Sequence, residues 1–302
     1  SMFCDVFEKE VAVFPLVTGT AANALALAHL VPSYGAAFCH EEAHLYTDEC
    51  GAPEMYTGGA KLLPLPGKHA KIDADTFRNA LRASGHLGDH EAKISALSLS
   101  QSTEFGTVYT LSEVAALAEL AHASGLGMHM DGARFANALV SIGCTPADMT
   151  WKAGVDLLSF GATKNGAMGA EALIVFDPDK AAELGRRRKR GGHLLSKMRY
   201  VSVQLEAYLT HDLWLTLARQ ANDMAKRLCQ GLEATGTELL HPVEANEVFV
   251  RMSDAMAGGL HDAGFEFHGW PGRPDVYRLV TTFATERADV DRLVGTAREL
   301  NV

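Results

Sequence analysis

The chain has 302 residues, 47% of them hydrophobic and 21% charged, with a formal net charge of −10. This is globular composition, long enough to bury about three quarters of the unfolded surface in one large domain or two smaller ones. The acidic balance speaks against a nucleic-acid surface, and the basic run Arg186–Arg190 is too short and isolated to outvote it.

Along the chain two periods alternate. Phe14-Pro-Leu-Val17 is a short apolar run that leads through Thr18-Gly-Thr20 into the helix-like Ala21–Leu30. Gly35–Cys39, Lys61–Leu65 and Ile94–Ser100 read as further strands, and Leu111–Ser124 has helical spacing. Leu126–Met130 is a buried strand with Asp131 at its end; Asp156–Phe160 and Ala172–Phe176 are two more. Strands alternating with helices predict a mostly parallel sheet covered on both faces, with ligands gathered beyond the carboxyl ends of its strands. Residues 186–225 read as a long helical stretch broken near Gly191-Gly192. After it the rhythm changes to strand (Val248–Met252), helix (Ala255–Ala263), strand (Tyr277–Phe283) and a last helix (Arg287–Leu300), which predicts a small α+β domain from about residue 226.

The five cysteines, Cys4, Cys39, Cys50, Cys144 and Cys229, are odd in number and show no CxxC spacing. That suits free thiols in a reducing, cytoplasmic compartment. No apolar stretch reaches the ~20 residues that span a bilayer, and no signal-peptide pattern opens the sequence. Ser1-Met2 reads as a cloning remnant, and folded-looking sequence follows almost at once, so a native N-terminal segment is expected to be missing here.

Several motifs could carry chemistry. Lys164 stands among small residues in Ser159-Phe-Gly-Ala-Thr-Lys-Asn-Gly166. A lysine kept from bulk water there would have a lowered pKa and a nucleophilic amine suited to Schiff-base formation; a solvated loop lysine is the alternative. Thr18-Gly-Thr20 before a helix offers free N–H groups to a phosphate, or is an ordinary N-cap. His40-Glu-Glu-Ala-His44 matches HExxH, but a metal site would need a third ligand and a helix; His44 could instead stack on a planar cofactor or serve as a base. Asp131-Gly-Ala-Arg134 pairs an acid that could keep a ring nitrogen protonated with a guanidinium that could grip a carboxylate, unless the two are a structural ion pair. Arg278, in a strand-like run, is a second carboxylate clamp or an internal salt bridge.

Thr18-Gly-Thr-Ala-Ala-Asn23, Ala43-His-Leu-Tyr-Thr-Asp-Glu-Cys-Gly51, His129-Met-Asp-Gly-Ala-Arg134, the Lys164 segment and Arg278-Leu-Val-Thr281 occur in the order found in the threonine aldolase family. The chain resembles that family over nearly its whole length. The resemblance implies a pyridoxal 5'-phosphate (PLP) enzyme of the aspartate-aminotransferase fold type. Residues 1–225 would form the large PLP-binding domain and 226–302 the small C-terminal one. It further implies that Lys164 bonds to PLP, Asp131 holds the pyridinium nitrogen, His44 stacks on the ring, Gly19 and Thr20 hold the phosphate, and Arg134 and Arg278 bind the amino-acid carboxylate. Arg199 matches a family arginine near the site less closely.

Many relatives carry a second active-site histidine after the fourth strand, where this chain has Glu104; either Glu104 is the base or water and His44 share that task. The family's N-terminal serine near the site has no equivalent before Thr18. The expected reaction is retro-aldol cleavage of L-threonine, L-allo-threonine or a related β-hydroxy-α-amino acid to glycine and an aldehyde, in a homo-oligomer built as a dimer of dimers. A phenylserine-type aldolase, another PLP β-eliminating lyase and a catalytically silent PLP-fold scaffold are the alternatives.

Overall fold

The structure, a computed structural model, describes residues 2–300. Its larger sheet has seven strands: β1 (Ala12–Leu16), β2 (Gly35–His40), β3 (Lys61–Leu65), β4 (Lys93–Ser100), β5 (Gly127–Gly132), β6 (Leu157–Gly161) and β7 (Glu171–Val175). Their order is β1-β7-β6-β5-β4-β2-β3. Neighbours pair in parallel from β3 to β6, while β7 runs antiparallel to both β6 and β1. The central strands are apolar and buried along their length, as expected where helices cover both faces. The helix Gly19–Leu30 is buried from Ala21 to Ala28, which is why its sequence is apolar all round rather than striped.

The second sheet joins β8 (Glu238–Leu239), β9 (Glu247–Arg251), β10 (His268–Trp270) and β11 (Arg273–Val280) in the order β10-β11-β9-β8. It packs, with the helices Asp254–Asp262 and Arg287–Leu300, into a core of its own that includes Met224, Leu228, Val248, Leu260 and Leu293. The helix Leu213–Glu233 serves both regions: Ala218 lies in the core of the larger sheet, and Met224 to Leu232 in that of the smaller one.

The long helical stretch after residue 186 is three helices, not one with a single break. Leu184–Arg190 ends at Gly191, Arg199–Leu209 follows, and a kink at Thr210–Asp212 precedes Leu213–Glu233. His211 and Asp212 take positive φ there (53° and 54°), and no Gly or Pro marks that turn in the sequence. A short helix, Met2–Val6, opens the described chain; Phe3 stacks edge-on against Phe160, 5.3 Å between centroids, and so ties the start of the chain to β6.

Candidate active site

The carboxyl ends of the parallel strands converge on one cleft. Its wall includes Gly19 and Thr20 after β1, His44 and Glu49 after β2, Glu104 after β4, Asp131 at the end of β5, Arg134, and Lys164 after β6. Because β7 is reversed, its first residue, Glu171, reaches the same edge, and the smaller sheet contributes Trp270 and Arg278. Every residue expected at the site thus reaches the cleft, except the loosely matched Arg199, which is exposed and lies over Tyr200. A larger depression near Tyr34, Leu81 and Lys93 lies at the opposite, amino end of the strands and gathers no comparable set of groups.

Lys164 occupies a single tight turn, Thr163–Asn165. Buried Asn165 anchors it by donating to Tyr208 Oη (2.6 Å) and the Trp214 carbonyl (2.8 Å). Gly166 closes the turn at φ 119°, a conformation that costs a side chain dearly. Glu171 accepts from the Ala162 amide (3.3 Å) on the other side, and burial pushes its carboxyl up to about 7. Gly161 lets this turn approach the Asp131–Arg134 loop, since a Cβ there would lie 2.5 Å from the Ala133 carbonyl oxygen. The Lys164 side chain itself remains open to the cleft. Even so, the enclosing protein is the main cause that lowers its pKa, with Arg134 second; Asp131, Glu247 and Glu104 oppose the shift.

Asp131 is 5% exposed. It accepts from the Ala133 amide (2.9 Å) and from Asn23 Nδ2 (2.8 Å). Asn23 also donates to Glu49 Oε1 (2.8 Å), which holds His44 Nδ1 at 2.9 Å. One amide therefore joins Asp131 to the carboxylate that orients His44. The hydrogen bond that His44 donates to Glu49 raises the His44 pKa against the opposing effect of burial. Two residues before Asp131 on β5, buried His129 bridges Ser98 (2.8 Å) and Ser159 (2.9 Å), and burial holds it neutral by pushing its pKa down to about 4.

Sequence reasoning missed Asn23 and Glu49 as connectors. A lone amide in an otherwise Ala/Leu helix was the available signal, because a buried amide needs partners. It also missed Glu247, which no local pattern marks. His40 and His44 do not form the pair that HExxH would need: His40 accepts from the Glu42 amide (3.0 Å) and points its other ring nitrogen at the Gly67 carbonyl (3.1 Å). Thr18 serves as the helix cap, accepting from the Ala21 amide (3.1 Å), and it is Gly19 and Thr20 that reach the cleft wall.

Glu104 is held by one oxygen. Its Oε1 accepts from the His44 amide (2.8 Å) and Ser100 Oγ (2.7 Å), while Oε2 is buried without a protein partner. Burial raises its pKa to about 7, overcoming those two hydrogen bonds.

The residues suit PLP. A buried carboxylate could face a ring nitrogen, an amine with lowered pKa stands beside it, and the N-terminus of a 12-residue helix opens onto the cleft at Gly19, where a Cβ would meet nothing within 4 Å.

Residues 1–255 match the model of the beta-eliminating lyase family, and the chain belongs to that family. Within it the similarity is to threonine aldolases. The low specificity L-threonine aldolase of Pseudomonas sp. (strain NCIMB 10558) is 39% identical over 297 residues, covering 98% of this chain and 85% of that protein. Its counterpart in Pseudomonas aeruginosa is 39% identical over 301 residues, covering 99% and 85%. A threonine aldolase structure from Leishmania major superposes with a TM-score of 0.93 at 28% identity, covering 100% of this chain and 88% of that one. The fold is that of PLP-dependent threonine aldolases.

Proposed function

We propose that this chain is a PLP-dependent aldolase that cleaves L-threonine, L-allo-threonine or related β-hydroxy-α-amino acids to glycine and an aldehyde. The observation that carries this reading is the meeting of Lys164, Asp131, Glu104, Arg134 and Arg278 in one cleft, in a chain 39% identical to proteins named low specificity L-threonine aldolase.

Bound PLP would supply an electron sink conjugated to the substrate nitrogen. Lys164 would hold it through Nζ, Asp131 would keep a proton on its ring nitrogen, His44 would lie against the ring, and Gly19 and Thr20 would take the phosphate. Arg134 and Arg278 bind the substrate carboxylate, which fixes the amino acid before any bond breaks. Glu104 takes the β-hydroxyl proton at Oε2, the oxygen left without a protein partner. His44 is the weaker candidate for that step, because Glu49 favours its protonated form and a base must be empty of its proton. The protein supplied with PLP should release acetaldehyde from L-threonine or L-allo-threonine. Silence toward every β-hydroxy amino acid tested would overturn the proposal.

The reading extends to organisation. A division near residue 226 is supported by the separate core that begins at Met224. A cytoplasmic setting agrees with the widely spaced cysteines Cys39, Cys50, Cys144 and Cys229, which are free thiols, and no helix among the described residues is long and apolar enough to cross a membrane. Self-association as a dimer of dimers is supported by the large apolar side chains left exposed at Met168 (95%), Tyr200 (60%) and Val203 (53%). Lone exposed apolar residues are ordinary, but these lie together: the Met168 amide donates to Gln204 (2.9 Å), one residue beyond Val203. Sedimentation should give a tetramer, and a monomer at micromolar concentration would refute this assembly.

A further inference from the structure

We propose that Glu247 is a positioning residue that sets the aim of the two carboxylate-binding arginines, and that it controls substrate alignment rather than affinity. The proposal rests on the aldolase reading and deepens it. Glu247 opens β9 and its side chain is fully buried (0% exposed), whereas Arg134 and Arg278 keep 14% and 30% of theirs open. Both guanidiniums approach the same oxygen: Arg134 Nη2 stands 2.9 Å and Arg278 Nη1 3.5 Å from Glu247 Oε1. These are ionic contacts rather than well-aligned hydrogen bonds, since neither oxygen of Glu247 has a hydrogen-bond partner. The arginines line the cleft and Glu247 does not, so it holds them from behind.

The register explains the geometry. Glu247 pairs with Val280, so Arg278, two residues earlier in β11, projects from the same face as a diagonal neighbour. Arg134 comes from the other sheet, just ahead of the helix Phe135–Ile142. Glu247 is therefore the point where the two sheets set the spacing of the clamp. The loop that carries Glu104 leans on the same point. Gly106 (φ 73°) approaches so closely that a Cβ would lie 2.9 Å from Glu247 Cβ, and its carbonyl accepts from the Ala245 amide (3.0 Å). The ring of Trp270, 5.5 Å from the Arg278 guanidinium, limits that side chain on a further side.

Two effects of Glu247 on a bound carboxylate oppose each other. It aims the guanidiniums, and its own negative charge competes with the substrate's. Removing it leaves the positive clamp stronger in charge but looser in direction. Affinity should then hold or rise while alignment fails, and a misplacement of ~1 Å at a reacting centre can cost ~10²-fold in rate.

The test uses PLP-loaded wild type and the variants Glu247→Gln and Glu247→Asp. Glu247→Gln should lower kcat for L-threonine about tenfold or more, with KM and the calorimetric affinity for glycine unchanged or better. In deuterated buffer, wild type should exchange one α-proton of glycine in preference to the other, and the variant should lose that preference. Glu247→Asp keeps the charge with a shorter reach and should show a smaller change in the same sense, which guards against a Gln variant that fails to fold. Wild-type kcat with intact proton preference would overturn the proposal, and so would a loss of glycine affinity as large as the loss of turnover. The glycine measurements need no aldehyde chemistry. A wild type that binds glycine and releases no aldehyde would count against the aldolase reading and leave them to decide Glu247.

Discussion

Replacing Lys164 by alanine is expected to lower turnover at least about a thousandfold, as loss of a covalent nucleophile does elsewhere. It should also abolish the yellow colour that the wild type takes up with PLP. The amine has no obvious substitute, because the other basic groups of the cleft are committed elsewhere: Arg134 and Arg278 to Glu247, and His44 to Glu49. The fold should survive the change. The turn is held by Asn165 to Tyr208 and Trp214 and by Glu171 to the Ala162 amide, none of which uses the lysine side chain. Removing a cation beside Arg134 also relieves repulsion. Visible absorbance, aldehyde release and thermal melting, measured together, separate the cases. A variant that keeps colour and turnover would remove Lys164 from the chemistry, and one that has lost its melting transition would show that the turn depends on the amine after all.

Much of this arrangement could be read in the sequence because it lies where strands end. The buried parallel strands are mostly apolar runs, so the charged residues at or just past their carboxyl ends, Asp131 and Lys164, stand out. Asn23 and Glu49 were harder to read. Asn23 binds Glu49 from 26 positions away and Asp131 from 108, and no local periodicity carries such distances. Glu247 is harder still, for it heads a strand as any surface glutamate could, and only the register beside β11 turns it inward.

The reversal of β7 was legible and went unread. Only residues 162–170 separate β6 from β7, fewer than the dozen or more that a parallel crossover needs. That reversal matters to the site, because it brings Glu171 to the same edge as Lys164. The kink at Thr210–Asp212 left no such trace, since its positive φ angles fall on His211 and Asp212 rather than on glycine.

Glutamine at position 104 should lower kcat by about 10²- to 10⁴-fold, the usual worth of a positioned base, and should change the shape of the pH profile. A carboxyl group works as a base only when ionised. With the Glu104 pKa pushed up to about 7 by burial, wild-type kcat/KM should fall about tenfold per pH unit below that value and level off above it. Glutamine can keep the bonds from Ser100 and the His44 amide through its carbonyl oxygen, but it cannot accept a proton where Oε2 stood, so the rising limb should vanish. Stability gives an independent reading of the same group. A carboxyl whose folded pKa lies above its ordinary 4.5 adds stability that is complete below 4.5 and lost as pH rises through about 7. Glutamine does not titrate, so the melting temperature of the variant relative to wild type should climb between pH 4.5 and 7 and then stay level. A Glu104→Gln variant with the same rising limb would assign that limb to another group and return the hydroxyl proton to water or His44. If the relative stability also stays flat across pH, Glu104 ionises at its ordinary value in the folded protein and a limb near pH 7 belongs to another group.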